Sequence, residues 1–302
     1  MSIDYAQLAA LAAVVREGSF EAAARSLHVT PSAVSQRIKQ LEERQGGVLV
    51  TRGQPCRPTP AGAALCRHAE RVALLEAELD AGLAAGSTRP GGPGAARATL
   101  RIAVNADSLA TWFVDAMARF TAAHALLLDV SVDDQDHTAE ALREGSVLAA
   151  VTALAAPVAG CRSLPLGRLR YRATASPAFV ARHFAQGVTA TALAGAPCLR
   201  FNRKDQLQAR WVRNVCRREV ALPSHWLPSS QAFVDACVAG LGWGLNPLAL
   251  VEPLLGDGRL VELAPRRHVD VPLYWQHTRL DARVLEGLTA AVLAAARDRL
   301  AA

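Results

Sequence analysis

Apolar residues return at helical spacing through the first part of the chain, and each run carries helix punctuation at its ends. Leu8, Leu11 and Val15 fall on one face of a predicted first helix that stops before Gly18. Ser19 is placed to cap a short second helix over 20–27, whose Ala22, Ala23 and Ala24 allow close packing. Thr30 followed by Pro31 sets an N-cap and a first-turn proline before a third helix. Val34, Ile38 and Leu41 form the buried stripe of that helix, so Ser32, Ser35, Gln36, Lys39 and Glu43 point the other way. Positions 48–50 read as a strand, with Arg52, Gly53, Arg57 and Pro58 completing a small hairpin. Thr59 and Pro60 repeat the cap-and-proline signal for a long helix from Ala61 to about Ala85. There Leu65, Val72 and Leu79 recur at sevens beside Leu75 and Leu83. That stripe fits either a seam between two copies of the chain or a face packed on the chain's own core.

Beyond this helix the texture changes. Gly86, Pro90, Gly91, Gly92, Pro93 and Gly94 mark a linker and the main domain boundary. Apolar runs at 100–104, 126–132 and 148–151 then alternate with helical stretches at 108–123 and 137–144, the pattern of a parallel α/β layer. A second set follows, with strands at 170–175, 198–201 and 243–246 and helices at 206–216 and 230–239. A strand at 271–277 and a last helix at 281–300 are expected to return to the first lobe. The predicted fold class is α+β and multidomain. It comprises a three-helix unit with a hairpin over 1–60, a linker helix over 61–86 and a hinge over 87–98. Two α/β lobes fill 99–302, the first from 99–166 and 269–302, the second from 167–268.

Composition narrows the function classes. The hydrophobic share of 51% is largely alanine, and the uncharged stretch Gly145 to Cys161 contains Pro157 and falls short of the roughly 20 apolar residues of a membrane span. No membrane partner is expected. The start of the chain lacks the basic segment and apolar core of a signal peptide, so a cytoplasmic location is expected, which argues against an exported solute-binding protein. Cys56, Cys66, Cys161, Cys198, Cys216 and Cys237 are scattered without a CxxC pair and read as reduced thiols. No histidine has a partner at metal or catalytic spacing, and GxSxG, GxxxxGK[ST] and HExxH are all absent. Neither an enzyme nor a metal or other cofactor is expected.

The net charge of +6 admits a nucleic-acid partner without requiring one. Residues 200–218 alone carry seven Lys or Arg against the single Asp205, which we read as a solvated helix face. A short second helix, a tight turn and a third helix with a Ser/Gln/Lys outer face match helix-turn-helix geometry, with the hairpin as its wing. Gln36 suits a bidentate contact to adenine, and Thr30, Ser32 and Ser35 are short enough for close approach to base edges. Arg37, Lys39, Arg52 and Arg57 suit phosphates. A plain helical bundle with a solvated face is the competing reading.

Here the residues become specific. The run from Phe20 to Leu27, followed by Thr30-Pro-Ser-Ala-Val-Ser-Gln-Arg-Ile-Lys-Gln-Leu-Glu42, resembles the signature of LysR-type transcription regulators. Residues 46–52 and Pro58-Thr59-Pro60-Ala-Gly62 are similar to that family's wing and linker-helix start. Pro31 departs from the Gln frequent in the family, and Val50 from a usual Phe. Asn105 to Trp112 and Ser229 to Phe233 resemble the ArgP/LysG branch, which senses lysine and arginine and controls basic amino-acid export. The resemblance implies a winged helix-turn-helix and a dimerising linker helix. It also implies a two-lobed effector domain of periplasmic-binding-protein type, with the ligand between its lobes. Its implied partners are promoter DNA, a second copy of the chain in a homodimer or tetramer, a basic L-amino acid and RNA polymerase.

The residues themselves suggest how such a ligand would be held. Asn105 to Ser108 end a strand and start a helix, where free N–H groups suit an α-carboxylate. Ser229 and Ser230 start a helix on the other lobe. Asp107 suits an α-ammonium, and Asp134, with Asp133 and Asp136, a cationic side chain. Thr152 ends the third strand facing the same side. Helix capping for Asp107 or Ser108, an ordinary acidic turn for 133–136, and a buried hydroxyl for Thr152 remain the alternatives, and Trp112 and Trp243 read as core.

Overall fold

The computed structural model describes residues 4–84, 99–133, 138–280 and 282–301. The expected hinge at 87–98, Asp134 and Asp136 lie outside the described residues. In the N-terminal unit, α1 (Tyr5–Glu17), α2 (Phe20–Ser26) and α3 (Pro31–Gln45) close around Leu11, Val14, Val34, Ile38 and Leu41. Their ends follow the sequence signals. Gly18 takes a left-handed φ of 72° after α1, Ser19 Oγ accepts from Ala22 N at 3.1 Å, and Thr30 Oγ1 accepts from Ala33 N at 3.2 Å.

The hairpin is shorter than predicted, pairing only β1 (Val50–Thr51) with β2 (Arg57–Pro58). Val48 is exposed, and Glu42 Oε1 rather than a neighbouring strand accepts from Leu49 N at 2.8 Å. Thr59 Oγ1 donates to Val48 O at 2.9 Å and accepts from Gly62 N at 3.2 Å, which joins the hairpin to α4 (Pro60–Ala84). A Cβ on Gly62 would lie 1.9 Å from Leu49 O, so only glycine permits this contact. Along α4, Leu74 is buried against the second half of the chain, while Leu75 and Leu79 are 43% and 62% exposed.

The second half opens with β3 (Thr99–Asn105) and a continuous helix made of α5 (Ala106–Ser108), a π-helical turn (Leu109–Phe113) and α6 (Val114–Ala123). The elements β4 (Leu127–Asp133), α7 (Thr138–Glu144), β5 (Ala149–Thr152) and β6 (Cys161–Ala175) follow. Next come α8 (Pro177–His183), α9 (Ala190–Gly195), β7 (Cys198–Arg200), α10 (Leu207–Cys216) and β8 (Ser224–Trp226). The chain closes with α11 (Ser230–Val238), β9 (Gly244–Pro247), α12 (Leu248–Gly256), β10 (Val261–Glu262), β11 (Val269–Thr278) and α13 (Arg283–Arg299).

One mixed sheet runs in the order β10-β6-β11-β5-β3-β4, with β9 also beside β6, while β7 and β8 pair separately. The predicted parallel layer is present as β4, β3 and β5. The strand expected at 170–175 is the end of a much longer one. Pro165, Gly167 and Arg168 interrupt its apolar run, yet β6 pairs antiparallel with β11 across a bulge at Leu273/Tyr274. The expected lobe boundary at 166/167 therefore falls inside a strand that serves both lobes. Gly167 sits there at φ 122°, where a Cβ would come within 2.7 Å of Ala301 O. The last helix, α13, buries Leu285, Leu288 and Val292 in the same core as Phe113 and Trp275. Trp275 Nε1 donates to Thr289 Oγ1 at 3.0 Å.

Candidate functional site

Two polar surfaces qualify. On the N-terminal unit Ser32, Gln36 and Lys39 are exposed along the outer face of α3, with Ser35 and Arg37 half-buried beside them. Thr30 stands at the head of the helix, its side chain spent on the cap. Gln7, buried under α3, donates through Nε2 to Gln40 Oε1 at 2.9 Å and ties α1 to α3. Arg52 and Arg57 are exposed on the hairpin, and the Arg52 guanidinium lies 5.1 Å over the Phe20 ring. The eight residues singled out from sequence thus lie on α3, its cap and the hairpin of one small unit.

The second surface is internal. A cavity of about 210 Å³ lies between Asp107, at the start of α5, and the second lobe, where the loop before α10, the start of α11 and β9 supply its walls. Asp107 is clasped by hydroxyls from two directions: Tyr171 Oη donates to Oδ2 at 2.7 Å and Ser230 Oγ donates to Oδ1 at 2.6 Å. Tyr171 comes from β6, and Ser230 from the first turn of α11, so one carboxylate joins three elements. Such charge-assisted bonds are worth roughly 1.5–3 kcal/mol each.

The other residues expected at an effector site are arranged more variously. Asn105 Oδ1 accepts from Ser108 N at 2.7 Å as the cap of α5, and its Nδ2 and the Ser108 Oγ are buried without a partner among the described residues. Ser229 caps α11 by accepting from Ala232 N. Thr152 is fully buried, with Oγ1 accepting from Leu154 N at 3.1 Å, and like Asn105, Ser108 and Ser229 it is not part of the cavity wall. Trp112 and Trp243 are core.

Sequence reasoning missed several wall residues. Asp205 accepts from Phe201 N through Oδ2 and from Leu207 N through Oδ1, both at 2.9 Å, which fixes the carboxylate at the foot of α10. Burial pushes its carboxyl above the ordinary aspartate range, against the opposing pull of those two N–H groups, of Arg200 and of a hydrogen bond from the Gln208 side chain. Gln208 and Asn246 are 1% and 0% exposed. Gln208 Oε1 and Asn246 Oδ1 have no hydrogen-bond partner among the described residues. A buried oxygen left so costs on the order of 1–3 kcal/mol. Asp205 had one signal, as the only acid in a basic run. Asn246 had another, as a polar residue ending an apolar strand.

Comparison with known proteins identifies this arrangement. Residues 5–63 match "Bacterial regulatory helix-turn-helix protein, lysR family", and residues 93–297 match "LysR substrate binding domain". The chain belongs to the LysR family. This LysR-family chain is 50% identical over 294 residues to the HTH-type transcriptional regulator LysG of Mycobacterium tuberculosis, covering 97% of this chain and 94% of that one. Its structure matches the crystal structure of ArgP from Mycobacterium tuberculosis with a TM-score of 0.82 at 49% identity, over 99% of each chain. It matches full-length LysG from Corynebacterium glutamicum, solved with the effector Arg bound, with a TM-score of 0.72 at 38% identity, over 99% of this chain and 100% of that one. The matched family domains account for both polar surfaces, the helix-turn-helix for the first and the substrate-binding domain for the second. No helix among the described residues is long and apolar enough to cross a membrane.

Proposed function

We propose that this LysR-family regulator binds promoter DNA as a dimer and is switched by a basic L-amino acid, lysine or arginine, held between its effector lobes. The observation that carries the reading is the Asp107 carboxylate on the wall of an amino-acid-sized cavity, in a chain 38% identical to a LysG solved with Arg. An α-ammonium entering the cavity would compete with Tyr171 and Ser230 for that carboxylate, and thereby couple occupancy to the contact between the lobes. Asn105, Ser108 and Ser229, at the starts of α5 and α11, face the remaining task of receiving a carboxylate, and Thr152 supports the strand behind them.

In this reading residues 1–60 bind DNA, 61–86 dimerise, 87–98 act as hinge and 99–302 bind effector. Gln36 reads a base, with Thr30, Ser32 and Ser35 allowing close approach, while Arg37, Lys39, Arg52 and Arg57 hold phosphates. The exposed Leu75 and Leu79 on α4 support a seam between two copies, with tetramers as the next level of assembly. The protein acts in the cytoplasm without catalysis, at genes for basic amino-acid export, in contact with RNA polymerase. Calorimetric titration of the full chain tests the effector directly. L-Arginine or L-lysine should bind while L-leucine does not, and Asp107→Asn should weaken binding about 10-fold or more. Absence of binding by both amino acids would overturn the proposal.

A further inference from the structure

The cavity also carries information about which end of the ligand goes where. This step rests on the reading of a basic amino-acid effector. The geometry points to a second-lobe subsite, formed by Asp205, Gln208 and Asn246, that receives the cationic side-chain tip of the effector and favours a guanidinium over an ammonium. All three residues line the one cavity.

The atoms left open define the missing group. Gln208 Oε1 and Asn246 Oδ1 are acceptors, both buried, both without a donor among the described residues. Native proteins leave few buried polar atoms in this state, and those that remain call for an occupant. The Gly244 carbonyl, which can only accept, lies 3.5 Å from the Asn246 Nδ2 and opposes turning the amide. Its Nδ2 already donates to Thr174 Oγ1 at 2.9 Å and to Cys237 Sγ at 3.3 Å, so the oxygen is the end left over. The same wall also carries Lys204 and Arg210, the latter donating to the Asp270 carbonyl, so it is the two open acceptors beside the Asp205 carboxylate that call for a group rich in N–H donors.

Rigidity supports the same reading. The Asp205 carboxylate is held by two backbone N–H groups, and Arg200 donates to the Asp205 carbonyl while its guanidinium stacks on Trp226 at 5.2 Å. Neither the acid nor its loop has to be ordered on binding. Leu207, Phe233, Leu245 and Pro247 add an apolar wall suited to the methylene stem of a long side chain. Burial keeps the Asp205 carboxyl above its ordinary range, and a cation beside it would restore the ionised form.

Preference between cations follows from donor geometry. Two carbonyl oxygens on different elements, α10 and β9, together with a carboxylate, need donors spread in several directions. A planar guanidinium presents five, whereas an ammonium is a compact point charge with three. Asp107, on the opposite lobe, is left for the α-ammonium, so the ligand spans the two lobes through its two cationic ends.

The test is titration of the full-length protein with L-arginine, L-lysine and L-citrulline, the uncharged analogue of arginine. Wild type should bind arginine more tightly than lysine, and citrulline about 10- to 100-fold more weakly than arginine. Gln208→Leu should cost arginine about 10-fold or more and lysine less, compressing the preference, and Asp205→Asn should weaken both. Asp205 also organises its loop, so if Asp205→Asn loses near-UV circular dichroism, Gln208→Leu carries the test alone. Asp134→Asn is the rival arm. Arginine and lysine affinities unchanged in Gln208→Leu, or lost only in Asp134→Asn, would overturn the subsite while leaving the basic amino-acid effector intact. A wild type that binds neither amino acid would instead sink the effector itself.

Discussion

The outer face of α3 and the cavity between the lobes both present polar side chains, yet they are made in opposite ways. Ser32, Gln36 and Lys39 lie within two turns of one helix and stand in solvent. Asp107, Tyr171, Asp205, Ser230 and Asn246 arrive from separate elements and face inward, where each polar atom must find a partner or remain unsatisfied. Solvent satisfies the first surface at no structural expense, so it can be rebuilt residue by residue. In the second, each side chain is fixed by its neighbours, and a change in one alters the hydrogen bonding of the others.

The largest expected effect lies in the core of the effector half. Trp275 is fully buried between the sheet and α13, with its indole N–H on Thr289. Trp275→Ala should destabilise the effector half by about 3–5 kcal/mol through lost burial and an unfilled void. Denaturation of this variant should lower the effector transition and leave the N-terminal one where it was. A shift of both together would show that the two surfaces share one cooperative body, and the comparison would fail.

This contrast also explains what the sequence could convey. The helix-turn-helix is local: capping residues, a 3.6 periodicity and a proline at N1 decide it within 45 residues, and the end of α1, the extent of α2 and the start of α3 fall at the predicted signals. Asp107 and Ser230 could be singled out because each starts a helix, a signal that survives without knowledge of neighbours. Tyr171 could not, and Asn246 offered only its polarity at the end of an apolar strand, because their roles depend on the register of β6 against β9, where Tyr171 pairs with Pro247 and Arg172 with Asn246. The long β6 was hidden for a related reason. Antiparallel pairing with β11 tolerates the exposed Arg162 and Arg168 to either side of the bulge, so its apolar run looks broken when read alone.

A next effect tests the N-terminal side. Gly62→Ala would push a methyl into the Leu49 carbonyl, and the hairpin or α4 must move to relieve it. We expect a loss of about 1–3 kcal/mol in that unit, with weakened operator binding and unchanged effector titration. Unchanged DNA affinity would mean that the hairpin's seat on α4 is irrelevant to the reading surface.

Within that surface, Gln36 and Arg52 should separate. Gln36→Ala should lose about 1–3 kcal/mol of discrimination between the operator and random DNA. Arg52→Ala should weaken both DNAs alike and flatten the salt dependence by about one unit of slope, since it removes one phosphate contact. Binding measured on both DNAs across a salt series decides this, and equal losses on both DNAs for Gln36→Ala would remove its role as the reader.

The smallest effect concerns the frame of the cavity. Arg170 and Asp270 face each other across β6 and β11 and form a two-pronged ion pair, Nε to Oδ1 and Nη2 to Oδ2, each at 2.9 Å. Arg210, on α10 and the cavity wall, donates to the Asp270 carbonyl at 3.4 Å, so the pair backs the element that carries Gln208. The Arg170 guanidinium holds the Asp270 carboxyl below its ordinary value of 3.8. A depressed acid stabilises the fold fully above its unfolded pKa, and the contribution fades as pH falls through the lower folded value. Asp270→Asn should therefore cost about 0.5–1 kcal/mol at neutral pH, given the partial exposure of the pair, and less at pH 3. Parallel denaturation curves at the two pH values check the sign. If arginine affinity at neutral pH falls by more than this stability loss accounts for, the ion pair orients α10 for the ligand, and even the frame of the inward-facing site belongs to its binding function.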